Sequence, residues 1–447
     1  MALTGLQIFK LLPKTNCREC GFATCMAFAM ALAAGKVSLD ACPHASDDAR
    51  ATLGAAAEPP VRLVAVGQGE YAVELGGEVV LFRHEKTFYH PTALAIEVRD
   101  DLPEAELKER LSRIQTLSFE RVGITMRVNL VAVRHAHPDP AFFIKTVELV
   151  QAHSPLPIAL VTQDPAVIRA ALAIAGSRRP LLWGATETNW QEMTALAKEY
   201  GCPLVVAAGD LAGLASLTEQ VTSSGHKDIV LHVPAAGAGD ALRTATAIRR
   251  MAIKKRFRPF GFPILASFGD GRDAYLVALA AATCIAKYAS LVVLDTVDPA
   301  VVLPLLTLRQ DIYTDPQKPI QVQATCYSIG NPGPNAPVLV TTNFSLTYFS
   351  VVNEIEASRV GTYLVTVDTD GTSVLTAWAS GKFGPEQIAE AMERTGVGEK
   401  VKHRQVVIPG YVAMLSGRLE ELSGWNVRVG PREAAALPGF LRSYVTN

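Results

Sequence analysis

Four cysteines near the N-terminus constrain this 447-residue chain more than any other feature. They follow the pattern Cys17-x2-Cys20-x4-Cys25-x16-Cys42. Four thiolates are the ligand set of a cubane iron–sulfur cluster, and they can also hold a tetrahedral zinc ion. Zinc ribbons and fingers usually present two separated Cys-x2-Cys pairs, whereas this chain has one, and Cys25 lies early in an apolar helix predicted over 22–34. The spacing therefore favours a [4Fe–4S] cluster over zinc.

The composition is that of an ordinary globular protein with enough apolar residues for large cores. Hydrophobic residues make up 49% of the chain, and its formal net charge of −1 argues against nucleic acid or an acidic membrane surface as the main partner. We expect no secretion signal and no membrane-spanning segment, because no charged-then-apolar leader and no long apolar run is present. Cys202, Cys284 and Cys326 are scattered and indicate no disulfide framework. The clustered thiolates predict a reducing, anaerobic cytoplasm.

Changes of pattern predict an α/β protein of four segments. Residues 1–57 form the cysteine module, and 58–91 hold a proline-containing linker and a β-hairpin. Residues 92–325 alternate β-rich runs with helix-competent stretches, which predicts a (β/α)₈ TIM-type barrel, with an open doubly wound sheet as the alternative. Residues 326–447 begin with a Gly-, Pro- and Asn-rich boundary at 326–337 and continue as a Rossmann-like α/β module. The predicted barrel strands are 94–98, 127–133, 158–162, 181–185, 204–208, 229–233, 264–268 and 291–295.

Small hydroxyl and glycine residues follow the predicted strands of the C-terminal module. In open α/β sheets, ligands bind at the carboxyl ends of strands, where such groups face a crevice. The same residue types are favoured in turns and helix N-caps, and on these residues alone ordinary turn chemistry is the better explanation. The residues are Thr341, Thr342, Asn343, Ser345 and Thr347 after one strand, Gly371, Thr372 and Ser373 after the next, and Gly410 after a third.

The predicted barrel shows no convergent catalytic group, and we predict no catalytic residue. Several aspartates follow strands, but helix capping explains each of them better than catalysis. His135, His137 and Asp139 share one loop and are explained without a metal ion. Gly269-Asp-Gly271 is too short to indicate a phosphate site. The aspartates are Asp100, Asp101, Asp164, Asp210, Asp270 and Asp295.

The combination of segments resembles the large (gamma) subunit of the corrinoid iron–sulfur protein of the reductive acetyl-CoA (Wood–Ljungdahl) pathway. The resemblance covers the whole chain and rests on the cysteine pattern with Gly21 and Pro43, and on the stretches 339–348 and 367–373. It implies a [4Fe–4S] cluster on Cys17, Cys20, Cys25 and Cys42, and a cobalamin-type corrinoid in the C-terminal domain. With the strand-end residues, the corrinoid-binding set becomes Thr341, Thr342, Thr347, Gly371, Thr372, Ser373, Val374, Gly410 and Ala434.

We expect the corrinoid to be base-off and to lack a protein histidine on its cobalt. The chain contains no Asp-x-His-x-x-Gly motif. Its only histidine after Cys326 is His403, which lies in a charged stretch and is predicted to be a solvated surface residue. The missing motif agrees with what the resemblance implies.

The resemblance implies a methyl carrier with corrinoid-dependent, methyltransferase-class activity. In that family Co(I) accepts a methyl group from methyltetrahydrofolate through a methyltransferase, methyl-Co(III) donates it to the nickel cluster of acetyl-CoA synthase/CO dehydrogenase, and the [4Fe–4S] cluster reduces Co(II) back to Co(I). The implied partners are that methyltransferase, that synthase, a small subunit in a heterodimer, and a ferredoxin-type or activator electron donor. The alternatives are an archaeal-type gamma subunit of acetyl-CoA decarbonylase/synthase using methyl-tetrahydrosarcinapterin, a pterin-dependent barrel methyltransferase, and a ferredoxin-like module fused to an adaptor.

Overall fold

The structure is a computed structural model that describes residues 5–33, 37, 39–46, 49, 59–82, 85, 88, 90–269, 273–314 and 319–445. The chain folds as two compact units, Met1–Ser118 with Arg127–Tyr313, and Phe119–Met126 with Thr314–Asn447. Residue 58, where the predicted linker begins, and Asp270 with Gly271 lie outside the described residues. Among the helices that the structure describes, none is both long and apolar enough to cross a membrane.

The cysteine module is built on two short helices that pack against each other. Helix α1 covers Gly5–Leu11, α2 covers Cys25–Ala33, and a 3-10 turn follows at Leu39–Ala41. Ile8 and Phe28 are buried in its core, and two of the cysteines are buried in the same cluster. The thiols are therefore part of the packing of this module.

A β-hairpin closes the amino-terminal end of the barrel. Strand β1 (Leu63–Val66) pairs antiparallel with β2 (Val73–Gly76). Val64, Val66 and Leu75 pack into the same cluster as the inward-facing barrel residues. Backbone and barrel approach closely here, since a Cβ atom on Gly67 would lie 2.6 Å from the ring of Pro157. The hairpin is thus a component of the barrel core.

Residues 93–313 alternate strands with helices. In chain order the elements are β3 (Ala93–Arg99), α3 (Glu104–Thr116), β4 (Ser118–Arg121), β5 (Ile124–Arg127), β6 (Leu130–Arg134), α4 (Pro140–His153), β7 (Ile158–Val161), α5 (Pro165–Ala175), β8 (Leu181–Ala185), α6 (Trp190–Tyr200), β9 (Leu204–Ala207), α7 (Leu211–Ser223), β10 (Ile229–His232), α8 (Ala238–Lys254), β11 (Ile264–Phe268), α9 (Ala274–Ala286), β12 (Leu291–Leu294) and α10 (Pro299–Tyr313). Eight parallel strands, β3 and β6 to β12, close into a barrel because β12 pairs with β3. The predicted (β/α)₈ barrel is confirmed, and the open sheet is excluded.

Strands β4 and β5 form a separate two-stranded sheet between α3 and β6. The sequence predicts one strand over 127–133, but Arg127 ends this hairpin and the barrel strand begins at Leu130. The hairpin turn holds Val122 at φ +54° and Gly123 at φ +71°. A β-branched residue rarely adopts positive φ, so the sequence carries no ordinary hairpin signal at this turn.

The C-terminal unit contains a five-stranded sheet. Its elements are β13 (Cys326–Ile329), β14 (Val338–Thr342), α11 (Ser345–Ser358), β15 (Thr362–Val367), α12 (Val374–Ala379), α13 (Pro385–Arg394), α14 (Val397–Lys400), β16 (Gln405–Ile408), α15 (Ser416–Ser423), β17 (Asn426–Val429) and α16 (Leu437–Val445). The strand order is β13-β15-β14-β16-β17, with β13 antiparallel and the others parallel. The boundary predicted at 326–337 therefore begins with an edge strand, which is too short to stand out beside the Gly- and Pro-rich residues that follow it.

A buried ion pair links the segment after β2 to helix α8. Arg249 Nη2 lies 3.4 Å from Glu78 Oε2, and the two side chains are only 3% and 5% exposed. Arg249 also donates a hydrogen bond to the carbonyl oxygen of Tyr288 at 3.2 Å. A charge this deeply buried depends on its partner, because it has no access to water.

We expect Arg249→Ala to lower the free energy of unfolding by about 3–5 kcal/mol, because the Glu78 carboxylate would stay buried without a counter-charge. Urea denaturation followed by circular dichroism measures this loss. The exposed neighbour provides a matched control, and Arg250→Ala should change stability by no more than about 0.5 kcal/mol. Equal small losses in both variants would contradict the structural role of the pair.

Candidate functional site

The four clustered cysteines differ in their exposure to solvent. Cys25 and Cys42 are buried, Cys20 is half-buried against the same apolar core, and Cys17 is exposed. Cys25 begins helix α2, so its backbone N–H is one of the donors at the helix N-terminus that have no partner within the helix. The module therefore holds two thiols firmly in apolar surroundings and leaves one at the surface.

Asn16 joins the cysteine loop to helix α2 by two hydrogen bonds. The backbone N–H of Cys25 donates to Asn16 Oδ1 at 2.8 Å, and the backbone N–H of Asn16 donates to Cys25 Sγ at 3.4 Å. Donors aimed at cysteine sulfur are one of the features that set the reduction potential of an iron–sulfur cluster. No role was predicted for Asn16, since nothing in the cysteine spacing reveals it.

The sulfurs of the four clustered cysteines are not drawn together as tightly as around one zinc ion. Tetrahedral zinc, with Zn–S bonds of about 2.3 Å, brings its sulfurs to about 3.8 Å from one another. Among the described side chains, no three of the four clustered sulfurs lie within 4.8 Å of one another, and the one compact set is Cys17, Glu19 and His44. The four thiols are the ligand type and number of an iron–sulfur cluster.

The C-terminal sheet has a crevice at the point where its strand order reverses. The chain passes from β14 to β15 on one side and then crosses to β16 on the other. In parallel sheets this reversal leaves a gap at the carboxyl ends, where ligands bind. A cavity of about 140 Å³ lies there, and its wall is largely apolar, with Leu339, Val407 and Leu437 among its residues.

Three hydroxyl groups at this edge are buried and have no hydrogen-bond partner. They belong to Thr341 and Thr342, at the end of β14, and to Ser345, at the start of α11, and each residue is at most 2% exposed. An unsatisfied buried hydroxyl costs about 1–3 kcal/mol, so proteins rarely keep one without a reason. Of the three residues only Thr341 lines the cavity, so a ligand with polar groups in the crevice would supply a partner for its hydroxyl.

Asn343 organises the loop that follows β15. Its Oδ1 accepts hydrogen bonds from the backbone N–H groups of Thr369 and Gly371 at 3.0 and 3.2 Å, and from Thr369 Oγ1 at 3.0 Å. Its Nδ2 donates to Asp368 Oδ1 at 3.1 Å and to Gln321 Oε1 at 3.2 Å. Asn343 therefore shapes this edge without lining the cavity.

The predicted site residues fall into two groups. Thr341, Thr347, Val374 and Ala434 line the cavity. The others lie beside it: Ser373 precedes α12, and Gly410 packs so tightly that a Cβ atom there would lie 2.5 Å from the carbonyl oxygen of Gly430. The predicted residues outside the cavity wall are Thr342, Gly371, Thr372, Ser373 and Gly410.

The far wall of the cavity was not predicted from the strand ends. That wall consists of the end of β16 with Pro409 and Tyr411, and of Gly430–Glu433 after β17. Tyr411 Oη donates to Glu433 Oε1 at 2.6 Å, and the nearby carboxylate raises the pKa of Tyr411. In sequence these residues resemble ordinary core and turn positions. The one sequence signal for this wall is that β14 and β16 flank the reversal of strand order, so the residues that follow both strands face the same crevice.

His403 is not the solvated surface residue that the sequence predicts. It is half-buried, its Nε2 lies 2.9 Å from the carbonyl oxygen of Ala336, and its Nδ1 accepts from the backbone N–H of Gln405 at 3.2 Å. The charged stretch leads directly into β16, which pairs with β14, and so His403 lies against the amino ends of both strands. His403 therefore sits at the edge of the sheet opposite the crevice.

The mouth of the barrel is occupied by side chains that contact one another. Arg134 pairs with the buried Glu97 at 2.7 Å and lies 5.9 Å from the centre of the Trp183 ring. His232 packs edge-on against Trp183, and burial lowers its pKa to about 4. A neutral imidazole, an indole ring and an ion pair therefore form a packed layer at these strand ends.

Several other polar residues of the barrel have structural partners, whereas Asp100 Oδ2 and His135 Nε2 are buried without one. Asp164 and Asp210 cap helices α5 and α7, as expected. Asp100 instead accepts hydrogen bonds from the backbone N–H groups of Ala136 and His137, so helix capping does not explain it. Asp139 caps α4 and its backbone N–H donates to His137 Nδ1. Burial raises the pKa of the two barrel thiols, to about 11 for Cys202 and about 12 for Cys284.

Known proteins of the same length match this chain from end to end. The corrinoid/iron-sulfur protein large subunit of Moorella thermoacetica is 50% identical over 447 residues, covering 100% of both chains. This chain belongs to the corrinoid/iron–sulfur large-subunit family. The gamma subunit of the acetyl-CoA decarbonylase/synthase complex of Methanothermobacter thermautotrophicus is also similar, with 38% identity over 99% of both chains. The family resemblance inferred from the sequence is confirmed.

Two family models match this chain, one in the cysteine module and one over most of the remaining residues. The model described as "CO dehydrogenase/acetyl-CoA synthase delta subunit" matches residues 63–441, and the one described as "Putative Fe-S cluster" matches residues 12–44, which include all four clustered cysteines. A solved 7,8-dihydropteroate synthase from Vibrio fischeri covers 52% of this chain and 97% of its own length, at 14% identity and a TM-score of 0.35. A TM-score this low supports no functional comparison.

We expect Thr341→Val to raise the free energy of unfolding of the ligand-free protein by about 1–3 kcal/mol, because it removes a buried hydroxyl without a partner and keeps the side-chain shape. Thr366→Val is the matched control on the neighbouring strand. Thr366 Oγ1 donates to the carbonyl oxygen of Gln323 at 2.9 Å, so its loss should destabilise. Thermal unfolding of the two ligand-free variants tests this, and a loss of stability in both would show that the Thr341 hydroxyl is satisfied.

Proposed function

We propose that this chain is the methyl-carrying large subunit of a corrinoid/iron–sulfur protein. One observation carries the proposal: partnerless buried hydroxyls edge a crevice in a chain that is 50% identical, over its full length, to such a subunit. When bound, a corrinoid supplies a low-valent cobalt that accepts and passes on a methyl group, and a [4Fe–4S] cluster supplies the electron that restores that state. Cys17, Cys20, Cys25 and Cys42 are the proposed cluster ligands.

Hydroxyl-bearing and apolar residues of the crevice have different roles in binding a corrinoid. The hydroxyls of Thr341 and Thr347 donate to its polar groups, and Val374 and Ala434 contact its apolar parts. The wall of aliphatic side chains excludes water, which makes each hydrogen bond inside it stronger. None of these four residues is charged, and the charged residues of the wall, Arg432 and Glu433, belong to its far side.

We propose that the cobalt receives no ligand from this chain and that the corrinoid is base-off. His403 is the only histidine after Cys326, and its two ring nitrogens lie within hydrogen-bonding distance of backbone groups at the opposite edge of the sheet. A strong axial donor stabilises oxidised metal. Without one, the low-valent state that the methyl carrier needs is easier to reach.

Partner proteins are part of the proposal. The Moorella relative is named a large subunit, which supports a small subunit as the companion chain. Leu375, Trp378 and Met414 are exposed apolar residues within four sequence positions of the cavity-lining Val374 or Tyr411, and they support a protein surface covering the crevice. We further propose methyltetrahydrofolate methyltransferase as methyl donor and acetyl-CoA synthase/CO dehydrogenase as acceptor, since the archaeal relatives belong to acetyl-CoA decarbonylase/synthase complexes.

Metal content and visible spectra of two variants test the proposal. Purified anaerobically with its small subunit, the wild-type chain should carry about four irons and, after reconstitution with cobalamin, about one cobalt. Cys25→Ser should lose iron and retain cobalt. Thr341→Val should retain iron and bind cobalamin about tenfold more weakly, the effect of losing one hydrogen bond.

Thr395→Val serves as the control, because Thr395 lies at the end of α13 and bonds to the carbonyl oxygen of Ala391. It should leave both cofactors in place. Zinc in the wild-type protein instead of iron, or a chain that stays free of cobalamin after reconstitution, would refute the assignment.

A further inference from the structure

A partner protein approaches the thiolates of the cysteine module most closely where one of them is exposed. Of the four clustered cysteines, Cys17 is the exposed one, and residues 13–19, which carry it, are exposed throughout. Cys25 and Cys42 are buried against the core on the other side. Because electron transfer weakens steeply with distance, a partner protein exchanges electrons fastest at the Cys17 corner.

The loop at this corner carries more cations than acids. Among the described residues of the cysteine module, 5–33, 37, 39–46 and 49, the cations are Lys10, Lys14 and Arg18 and the acids are Glu19 and Asp40, all of them exposed. Glu19 Oε2 lies 3.1 Å from His44 Nε2. Within residues 13–19, Lys14 and Arg18 outnumber Glu19, so the loop is net positive although the whole chain has a formal net charge of −1.

The loop that carries these cations is held in one conformation. Lys14, Asn16 and Arg18 all have left-handed backbone angles, with φ of +61°, +50° and +68°. Non-glycine residues adopt this region only where the surroundings compensate for it. Here Asn16 is fixed to Cys25 by two hydrogen bonds, and Lys14 Nζ lies 5.8 Å from the centre of the Phe9 ring. A rigid charged surface loses little entropy when a partner docks.

We propose that the loop 13–19 is the docking surface for a small acidic iron–sulfur electron carrier, which contacts Lys14 and Arg18. The inference rests on the proposed function, because it requires the cluster. The carrier loses one electron and the cluster gains one, while no bond forms or breaks and no proton moves. Opposite charges accelerate such encounters and orient the two proteins.

The experiment reverses the charge of the surface in the full chain with its small subunit. For Lys14→Glu/Arg18→Glu, stopped-flow reduction of the cluster by a reduced acidic two-cluster ferredoxin should slow about tenfold or more at low ionic strength. The difference from wild type should nearly vanish in about 0.5 M salt, where charges are screened within a few ångströms. The Kd for the oxidised ferredoxin, measured by surface plasmon resonance, should rise in parallel.

Two variants provide matched controls. Lys254→Glu/Lys255→Glu makes the same change in net charge on exposed residues at the end of α8, and it should leave the rate and the Kd unchanged. Lys14→Arg/Arg18→Lys keeps the charges and should behave as wild type. If charge reversal reduces the iron content, Lys14→Gln/Arg18→Gln replaces it, with a smaller fall in rate expected.

Iron content, the electron paramagnetic resonance spectrum and the rate of reduction by photoreduced deazaflavin separate docking from damage to the cluster. All three should match wild type in the charge-reversed protein. An equal loss of rate in both charge-reversed variants, or a rate independent of salt, would overturn the docking surface and leave the proposed function intact. Slower cobalt reduction with unchanged ferredoxin kinetics would overturn it too, while a wild-type protein without a cluster would remove the proposed function itself.

Discussion

Parallel strand pairing gathers all carboxyl-end loops of a sheet at one edge, and both large sheets of this protein depend on that constraint. In the barrel, closure brings Glu97, Arg134, Trp183 and His232 into contact at these strand ends. In the C-terminal sheet, the loops after β14 and β16 diverge, so the same edge remains open. One geometric rule thus yields a layer of packed side chains in one unit and a crevice in the other.

The polar side chains near the open edge differ in the number of hydrogen bonds that they make. Asn343 makes five hydrogen bonds to its surroundings and fixes the loop at 368–371. The hydroxyls of Thr341 and Ser345, on either side of it in sequence, make none. A fully bonded amide flanked by unbonded hydroxyls indicates an edge whose backbone is rigid before a ligand arrives. Such preorganisation lowers the entropic cost of binding.

The sequence revealed most where one residue type determines the structure. Four thiols at fixed spacing indicate a metal cluster, and eight apolar runs separated by helices indicate a barrel. It revealed less where distant segments meet: the cavity wall at 407–409 and 430–433 is ordinary in composition and becomes a wall only through the register of β16 and β17. The hairpin at 118–127 escaped notice because its turn contains a valine at positive φ. Whether Thr341 has a partner is likewise a three-dimensional property, invisible in a list of strand ends.

The hairpin β1–β2 packs inside the amino-terminal end of the barrel, yet it precedes every barrel strand in the chain. During translation the hairpin is therefore synthesised before the eight barrel strands, and Val64, Val66 and Leu75 stay exposed until those strands have formed. Three bare aliphatic side chains on a two-stranded ribbon are a target for chaperones and for self-association. A chain shortened beyond Leu63 would therefore leave the amino-terminal end of the barrel core open to water.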